Sequence, residues 1–268
     1  MIISIIITYY PDRELLRKNI SAFIDHVDKV LIWENTPEQE KLNYRFIEHE
    51  KVEYHGDGIN SISHGLNYAW KYAKDNGYDY LLVMDQDSLW ENFEQYLSQT
   101  VYNTQTPQGI WGPSTSSDEN IQGIDSVYSV INSGTLVKVS LIDKIGGWNE
   151  RFTIDGVDDE FCLRSKRMGI GTYRFNECHL KQRYGTPMQV SFMGRVCNLR
   201  NDPPHRLYSI FKNFIILIRM YPEADEMKIV FKEYWVSLIK WIFVFEDNRF
   251  AKMYAIIRGV LSGVTSKI

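Results

Sequence analysis

The segment Tyr80-Leu81-Leu82-Val83-Met84-Asp85-Gln86-Asp87-Ser88 decides how this chain folds. Its run of apolar residues, bounded by polar sequence, predicts a short buried strand rather than a helix. Asp85 and Asp87 follow at once, and side chains two apart on an extended chain point to the same side. Carboxylate oxygens at a strand end can bind a divalent cation, and a cation bound there can bind a phosphate. The alternative is a polar turn that merely ends the strand.

Apolar segments alternate with helical patterns through the first half of the chain. Strands are predicted over residues 2–7, 30–33, 52–54 and 80–84, and helices over 12–23, 38–49, 61–75 and 91–100. This alternation predicts an α/β fold with a parallel sheet and helices on both faces. Sheets of this kind bind ligands at the carboxyl ends of their strands.

The pattern changes after Gln105. Strands are predicted over 110–111 and 126–131, and helices over 140–145 and 158–169, the latter with Phe161, Leu163 and Met168 buried. From Pro203 the sequence becomes aromatic, and it predicts helices over 207–221, 227–244 and 250–260. We therefore expect a main domain over 1–202 and a C-terminal helical region over 203–268.

Composition narrows the function classes. Three cysteines without a CxxC spacing argue against a zinc site or a disulfide scaffold and fit a reducing cytoplasm. Residues 1–199 carry 19 basic and 27 acidic side chains, whereas residues 200–268 carry 11 and 7. This balance argues against nucleic-acid binding, but it leaves room for contact between residues 203–268 and an anionic membrane. Packing of these helices on the main domain or on a second subunit is the alternative.

Two polar turns follow the first two predicted strands: Thr8-Tyr9-Tyr10-Pro11 and Glu34-Asn35-Thr36. In a doubly wound sheet such turns share one edge and can line a nucleotide pocket, although ordinary strand-to-helix turns look the same. The chain has no Gly-rich phosphate loop and no Walker sequence, which excludes a P-loop or a typical dinucleotide site.

Two further segments stand out. Gly58 precedes the helix predicted from Ser61, and Gly65 lies inside that helix, where it indicates either a ligand or close helix–strand packing. The second segment contains four acids within residues 155–160. These acids either cap a helix through its dipole or supply a general base near a sugar hydroxyl.

In their order, these motifs resemble the family 2 glycosyltransferases, which have the GT-A fold, a Rossmann-like mixed sheet flanked by helices. They resemble most closely the bacterial rhamnosyltransferase-like members that build surface polysaccharides. The resemblance spans residues 2 to about 221. The matching pieces are Thr8-Tyr9-Tyr10-Pro11, Glu34-Asn35-Thr36, Gly58-Ile59 with Asn67, Asp85-Gln86-Asp87-Ser88, Ser133-Gly134-Thr135-Leu136, Gly146-Gly147-Trp148-Asn149-Glu150, Phe152 with Asp155 to Arg164, and His179. It implies a nucleotide-binding half over 1–105, an acceptor half over 106–202 and a C-terminal helical extension.

The resemblance also implies roles for individual residues. Asp87 would hold the Mn²⁺ or Mg²⁺ that bridges the donor diphosphate, Asp85 would support the metal or the ribose, and His179 would approach either group. Asp158 matches the catalytic base, with Asp159 as a competing candidate and Glu160 as a residue that orients the site. The remaining residues expected to bind the nucleotide are Thr8, Tyr10, Pro11, Glu34, Asn35, Gly58, Asn67, Gln86 and Arg164.

The implied activity is metal-dependent, inverting transfer of a sugar from a UDP- or dTDP-sugar to a glycan or lipid-linked glycan. We expect a cytoplasmic protein, at the inner face of the membrane if residues 203–268 bind lipid, and a homodimer if they bind a second copy. This sequence departs from the family pattern at Glu34, where an Asp is usual, and at Asp159, where an apolar residue is common. Alternative functions are a nucleotidyltransferase, whose basic Gly-rich loop is absent after the first strand, and a non-catalytic carbohydrate-binding protein.

Overall fold

The computed structural model describes residues 1–116, 121–182, 188–192, 195–199 and 201–268, and for Leu42 and 188–199 it describes the backbone alone. The chain divides into two compact units, Met1–Gln182 and Arg183–Ile268. This division falls before residue 202, where the sequence places the end of the main domain. The functional halves 1–105 and 106–202 stay a prediction.

The first unit is built on a nine-stranded sheet. Its strands are β1 (Ile2–Thr8), β2 (Lys29–Glu34), β3 (Val52–His55), β4 (Tyr80–Asp85), β5 (Leu89–Trp90), β6 (Gly109–Ser114), β7 (Ile124–Ser126), β8 (Leu136–Lys138) and β9 (Gly171–Lys181). Its α-helices are α1 (Arg13–Ser21), α2 (Ile62–Asp75), α3 (Phe93–Gln99), α4 (Val139–Ile145) and α5 (Val157–Arg167).

The strand order is β3-β2-β1-β4-β8-β6-β9-β5, with β7 paired to β9. The first four strands in this order are parallel, and β8 runs antiparallel to both β4 and β6. In the parallel part, Thr8 pairs with Glu34 and Ile7 pairs with Asp85. The carboxyl ends of β1, β2 and β4 therefore lie side by side. This mixed α/β sheet confirms the predicted fold class.

The central strands are buried on both faces of the sheet. Ile5 and Ile6 of β1, and Leu82 and Met84 of β4, are wholly inaccessible to solvent. Consecutive buried residues explain why these segments are continuous apolar runs and not alternating patterns. Each such side chain contributes about 1.5–3 kcal/mol through burial.

Helix α2 begins as the sequence predicts, because the Ser61 hydroxyl accepts a hydrogen bond from the His64 amide at 3.3 Å. A Cβ added to Gly65 would lie 2.6 Å from Cδ1 of Trp33 and 2.7 Å from Cδ1 of Ile7. Gly65 therefore lets the helix approach the sheet closely. Of the two explanations that the sequence offers for this glycine, a nearby ligand or close helix–strand packing, the structure supports the packing. Gly58, just before this helix, has a φ of +87°, a left-handed backbone that glycine adopts without strain.

Three local predictions are wrong. The helix predicted over 38–49 is only a short 3₁₀ turn at Lys41–Tyr44, because later residues bond elsewhere: Arg45 pairs with Glu34, and the Ile47 amide donates to the Tyr54 hydroxyl at 2.9 Å. The strand predicted over 126–131 is Ile124–Ser126, because the chain then leaves the sheet and Ser129 hydrogen-bonds Asp159. Met168, predicted to be buried, is 51% exposed because α5 ends at Arg167.

The second unit contains a hairpin of β10 (Met188–Phe192) and β11 (Arg195–Leu199), followed by α6 (Pro204–Met220), α7 (Asp225–Val244) and α8 (Arg249–Thr265). Its core includes Leu207, Phe211, Phe231, Ile242 and Ile256. The aromatic residues of α6 and α7 thus largely pack among the three helices. None of the helices in the described part of the chain has the length and apolarity that crossing a membrane requires.

Two of the three cysteines have side chains that the structure describes. Cys162 and Cys178 are buried free thiols, and burial raises the pKa of each to about 12. Thiols with such pKa values are poor nucleophiles near neutral pH. The side chain of Cys197 lies outside the described residues.

We expect the substitution Gly65→Ala to destabilise the protein by about 1–3 kcal/mol, because the added methyl group overpacks the contact with Trp33 and Ile7. Urea denaturation of the purified protein measures this cost. Lys71→Ala, at an exposed position of the same helix, is the matched control and should change stability by less than about 0.5 kcal/mol. Equal stability of Gly65→Ala and wild type would contradict the packing role.

Candidate functional site

The loops that follow β1, β2 and β4 are tied together at the carboxyl edge of the sheet. Gln86 accepts a hydrogen bond from the Tyr9 amide at 2.7 Å and donates one to the Tyr9 carbonyl at 3.2 Å. Tyr10 has a left-handed backbone, with a φ of +46°, and its amide donates to Oγ1 of Thr36 at 3.0 Å. Thr8 is buried and donates to the Trp33 carbonyl at 3.2 Å. The predicted nucleotide turns therefore form one connected frame, with Pro11 buried beside them.

The turn that carries Asp85 and Asp87 is fixed from several sides. The Asp85 amide donates to Oγ of Ser133 at 3.1 Å, and its carbonyl accepts from Nδ2 of Asn19 at 2.5 Å. Its Oδ2 accepts from Nε2 of Gln182 at 2.9 Å. Asp85 and Asp87 are both half-buried. Two carboxylates thus lie at the end of β4, and the hydrogen bond from Gln182 orients that of Asp85.

Helix α5 places Asp158 and Asp159 in its first turn, directly after Gly156. Burial raises the pKa of Asp158 to about 8, and the charges of Asp159 and Asp85 add to this effect. Burial also raises the pKa of Asp159, although a hydrogen bond from Ser129 acts in the opposite direction. The charge of Asp85 thus acts on Asp158, which means that the end of β4 and the first turn of α5 lie within electrostatic range of each other.

Glu160 and Arg164 form a pair that holds the neighbouring loop. Glu160 is 1% exposed, and Nε and Nη2 of Arg164 each donate to its carboxylate at 3.0 Å. Arg164 also donates to the carbonyls of Ile145 at 2.6 Å and Gly147 at 2.7 Å. These contacts fix the end of α4 to α5. The orienting role of Glu160 and the nucleotide role of Arg164 stay predictions.

Asn67 connects α2 to the same loop. Its Oδ1 accepts from the Trp148 amide at 2.7 Å, and its Nδ2 donates to the Trp148 carbonyl and to Glu150, both at 2.9 Å. Gly147 has a φ of +73°, and a Cβ there would lie 2.6 Å from Oδ1 of Asn67. The structure therefore joins the Asn67 and Gly147 motifs to each other. Asn67 as a nucleotide ligand stays a prediction.

Glu34 and Asn35 end β2 in two different environments. Glu34 is 3% exposed, and Arg45 donates to both of its carboxylate oxygens, the shortest distance being 2.6 Å. Asn35 is also buried, and its Oδ1 has no hydrogen-bond partner among the residues that the structure describes. A buried acceptor without a partner costs about 1–3 kcal/mol, so this position suits a donor from a ligand.

His64 lies between two carboxylates. Its Nε2 is 2.7 Å from Oδ2 of Asp57, and its Nδ1 is 3.2 Å from Oε2 of Glu150. Burial lowers the pKa of His64, but the bonds and charges of Asp57 and Glu150 outweigh it and raise the pKa above its usual value. The imidazole therefore links the loop that carries Gly58 to the loop that carries Glu150. Nothing in the sequence alone places these three residues together.

Asp85 and Asp87 have the donor atoms of a metal site, but they are not part of a preformed cluster in the described residues. Within the described ranges, no group of three or more His, Cys, Asp or Glu side chains is arranged to hold a metal ion. Asp85, Asp87 and His179 therefore do not form such a cluster, and the metal role of His179 stays a prediction. Its amide donates to Oδ1 of Asn92 at 2.7 Å within β9. The two aspartates supply the hard oxygens that Mn²⁺ and Mg²⁺ prefer.

Sequence reasoning missed several residues that shape the site. Gln182 holds Asp85, Arg45 holds Glu34, and Asn19 holds the Asp85 carbonyl. Gln182 and Asn19 lie 97 and 66 residues from Asp85 in the sequence, and Arg45 lies 11 residues from Glu34, beyond the reach of a helical or strand pattern. Only Asn19 leaves a signal, since it is a polar residue at a buried position of an otherwise regular amphipathic helix.

Comparisons with known proteins identify the fold. No family model matches this sequence, and no curated protein does. The structure is similar to that of GalNAc-T7 with UDP, GalNAc and Mn²⁺, with a TM-score of 0.61 and 8% identity over 84% of this chain and 48% of that chain. It thus spans about half the length of the GalNAc-T7 chain.

Two structures of TarS from S. aureus are also similar. TarS 1–349 in complex with UDP-GlcNAc matches with a TM-score of 0.57 and 11% identity, over 97% of this chain and 82% of that one. The other matches with a TM-score of 0.53 and 10% identity, over 92% and 44%. At these identities the similarity shows the fold, and the GT-A fold predicted from the sequence is confirmed. The resemblance to rhamnosyltransferase-like proteins stays a prediction.

Because its carboxylate partners raise the pKa of His64, the stability that this contact supplies is present below the ordinary histidine pKa of about 6.5 and is lost as pH rises through the folded-state value. We expect His64→Gln to lower the Tm more at pH 6 than at pH 9, as measured by thermal unfolding in buffers of equal ionic strength. His49→Gln, at an exposed position, is the control. An equal loss at both pH values would contradict a charged link.

Proposed function

We propose that this chain is a metal-dependent, inverting glycosyltransferase that uses a UDP- or dTDP-sugar. The observation that carries the proposal is that Asp85, at the end of β4, acts electrostatically on Asp158 of α5 at the ligand-binding edge of a GT-A sheet. The GalNAc-T7 structure holds UDP and Mn²⁺ and a TarS structure holds UDP-GlcNAc, which supports a nucleotide-sugar donor and a divalent metal here.

In this proposal Asp87 and Asp85 would hold Mn²⁺ or Mg²⁺, and the bound ion would supply positive charge next to the diphosphate leaving group. Gln182 keeps one Asp85 oxygen in place, and Ser133 and Asn19 keep the backbone of the turn in place. Such fixed positions lower the cost of ordering the site when the donor binds.

Asp158 is the proposed general base. A carboxylate with a pKa near 8 is far more basic than an ordinary aspartate, so it can accept the proton of an acceptor hydroxyl as that hydroxyl attacks the anomeric carbon. Asp159 is the competing candidate, but its hydrogen bond with Ser129 stabilises its charged form and reduces its basicity. One base and one direct displacement invert the anomeric centre.

The nucleoside would occupy the edge formed by Thr8, Tyr10, Pro11 and Asn35. Uracil and thymine each present an N–H group, and the buried Asn35 Oδ1 can accept a hydrogen bond from such a donor. Glu34 would act by positioning this edge, since Arg45 already engages both of its carboxylate oxygens.

The resemblance to polysaccharide enzymes extends the proposal to the acceptor. We propose a growing bacterial glycan, free or lipid-linked, at the cytoplasmic face of the membrane, with rhamnose as the favoured donor sugar. A homodimer through residues 203–268 is the alternative to contact of this region with the membrane. A thermal-shift screen of nucleotide sugars with Mn²⁺ or Mg²⁺ would identify the donor, since a bound ligand raises the Tm.

We expect Asp158→Asn to reduce sugar transfer by about 10²–10⁴-fold without weakening donor binding. The wild-type rate should rise with pH as the Asp158 carboxyl, with its pKa near 8, loses its proton, and this rise should vanish in the variant. Release of the nucleoside diphosphate measures both effects, and NMR of the product tests inversion. Asp159→Asn is the matched variant, and a larger loss there would move the base to Asp159.

Asp87→Asn should weaken metal-dependent donor binding by at least about tenfold, since it removes a charged oxygen ligand. Calorimetry with the donor in the presence of Mn²⁺ and of EDTA measures the effect. Asp57→Asn, which alters an acid outside the strand-end pair, should retain the metal dependence. Wild-type turnover by Asp87→Asn would refute the metal assignment.

A further inference from the structure

Helix α8 reverses the usual distribution of side chains on a surface helix. Its buried face is made largely of small residues, including Ala255, Gly259 and Gly263. Its exposed face carries large apolar residues, which we call the α8 stripe: Phe250 (93% exposed), Tyr254 (63%), Ile257 (53%), Leu261 (59%) and Val264 (53%). A surface helix ordinarily buries such residues and exposes polar ones.

The buried face holds α8 firmly on α6. A Cβ on Gly259 would lie 2.6 Å from the Tyr208 carbonyl oxygen, and a Cβ on Gly263 would lie 2.7 Å from that of Lys212. At the other end of α6, Arg219 donates to the carbonyls of Gly263 and Ser266, both at 2.7 Å. The helix therefore cannot roll to bury its stripe without losing these contacts.

The stripe is continuous and narrow. Its members are spaced by four, three, four and three residues, so they follow one another along a single line of the helix. At 1.5 Å per residue the line is about 21 Å long. Ile268, four residues beyond Val264, is also 61% exposed. This amounts to a linear apolar surface and not to scattered exposed side chains.

The charged side chains of α8 and of the residues that follow it are all basic. Residues 248–268 contain Arg249, Lys252, Arg258 and Lys267 and no acidic residue. Lys252 is buried and paired with Glu246, whereas the other three are exposed. The Arg258 guanidinium lies 5.7 Å from the centre of the Tyr254 ring, so this cation directly adjoins the stripe. Asp247, in the preceding turn, is the nearest exposed acid in the sequence.

We propose that the α8 stripe docks in the plane of an anionic lipid surface, with the apolar residues at the acyl boundary and the three cations against the phosphate headgroups. An apolar line flanked by Arg and Lys has the chemistry that interfacial helices use. A second copy is disfavoured as the occupant, because pairing two α8 helices would bring cations together with no acid on either helix to balance them. The proposal goes beyond sugar transfer and does not depend on it.

The test is co-sedimentation of the full chain with vesicles of phosphatidylcholine alone or with phosphatidylglycerol, in the absence of any nucleotide sugar. We expect binding to the anionic vesicles and a strong decrease at high salt. Leu261→Ser should reduce the partition coefficient by about tenfold. Lys267→Gln should reduce it by about fivefold, as expected for one cation near the surface.

Val236→Ser is the matched control, since Val236 is 47% exposed on α7 and lies outside the stripe. It should bind vesicles as wild type does, and thermal unfolding should show that all variants fold. Failure of the wild type to bind anionic vesicles would overturn the proposal, as would an equal loss in Val236→Ser. Sedimentation velocity that shows a dimer dissociated by Leu261→Ser, without vesicle binding, would assign the stripe to a second copy instead.

Discussion

The parallel pairing of β1 with β2 on one side and β4 on the other is the constraint on which the site depends. Because these strands run in the same direction and in register, their polar ends must emerge at one edge. The apolar runs in β1 and β4 supply the burial that holds this arrangement. The hydrogen-bonded pairing of the strands therefore places Asp85 next to the turns that follow β1 and β2.

Helix α5 holds Asp158 and Asp159 in surroundings that disfavour their charged forms. Burial raises the pKa of both helix acids, and the charges of Asp159 and Asp85 raise the pKa of Asp158 further. Such repulsion reduces stability at the pH where the acids are charged. Gln182 and the Arg164–Glu160 ion pair hold the loops around these acids in place. A site strained in this way is typical of ligand binding and unusual in a purely structural core.

Sequence patterns predict those parts of the structure that depend on local periodicity. The strand ending in Asp85, the helix starting near Ser61 and the helix carrying Asp158 follow from apolar spacing, and they were predicted from the sequence. The structure of segment 38–49 was not predicted correctly, because Arg45 pairs with Glu34 at the end of β2 and does not lie in a helix. The same limit applies to His64, whose partners come from separate loops. Polar contacts of this kind leave no periodic trace.

The double hydrogen bond between Gln86 and the Tyr9 backbone has a consequence for ligand affinity. It ties the turn after β1 to the turn after β4. In the proposed enzyme, one turn contacts the nucleoside and the other holds the metal. Any ligand that tightens one turn must then tighten the other, and thermodynamic reciprocity requires that the effect be equal in both directions. The amide of a single glutamine would thus make nucleoside and cation mutually cooperative ligands.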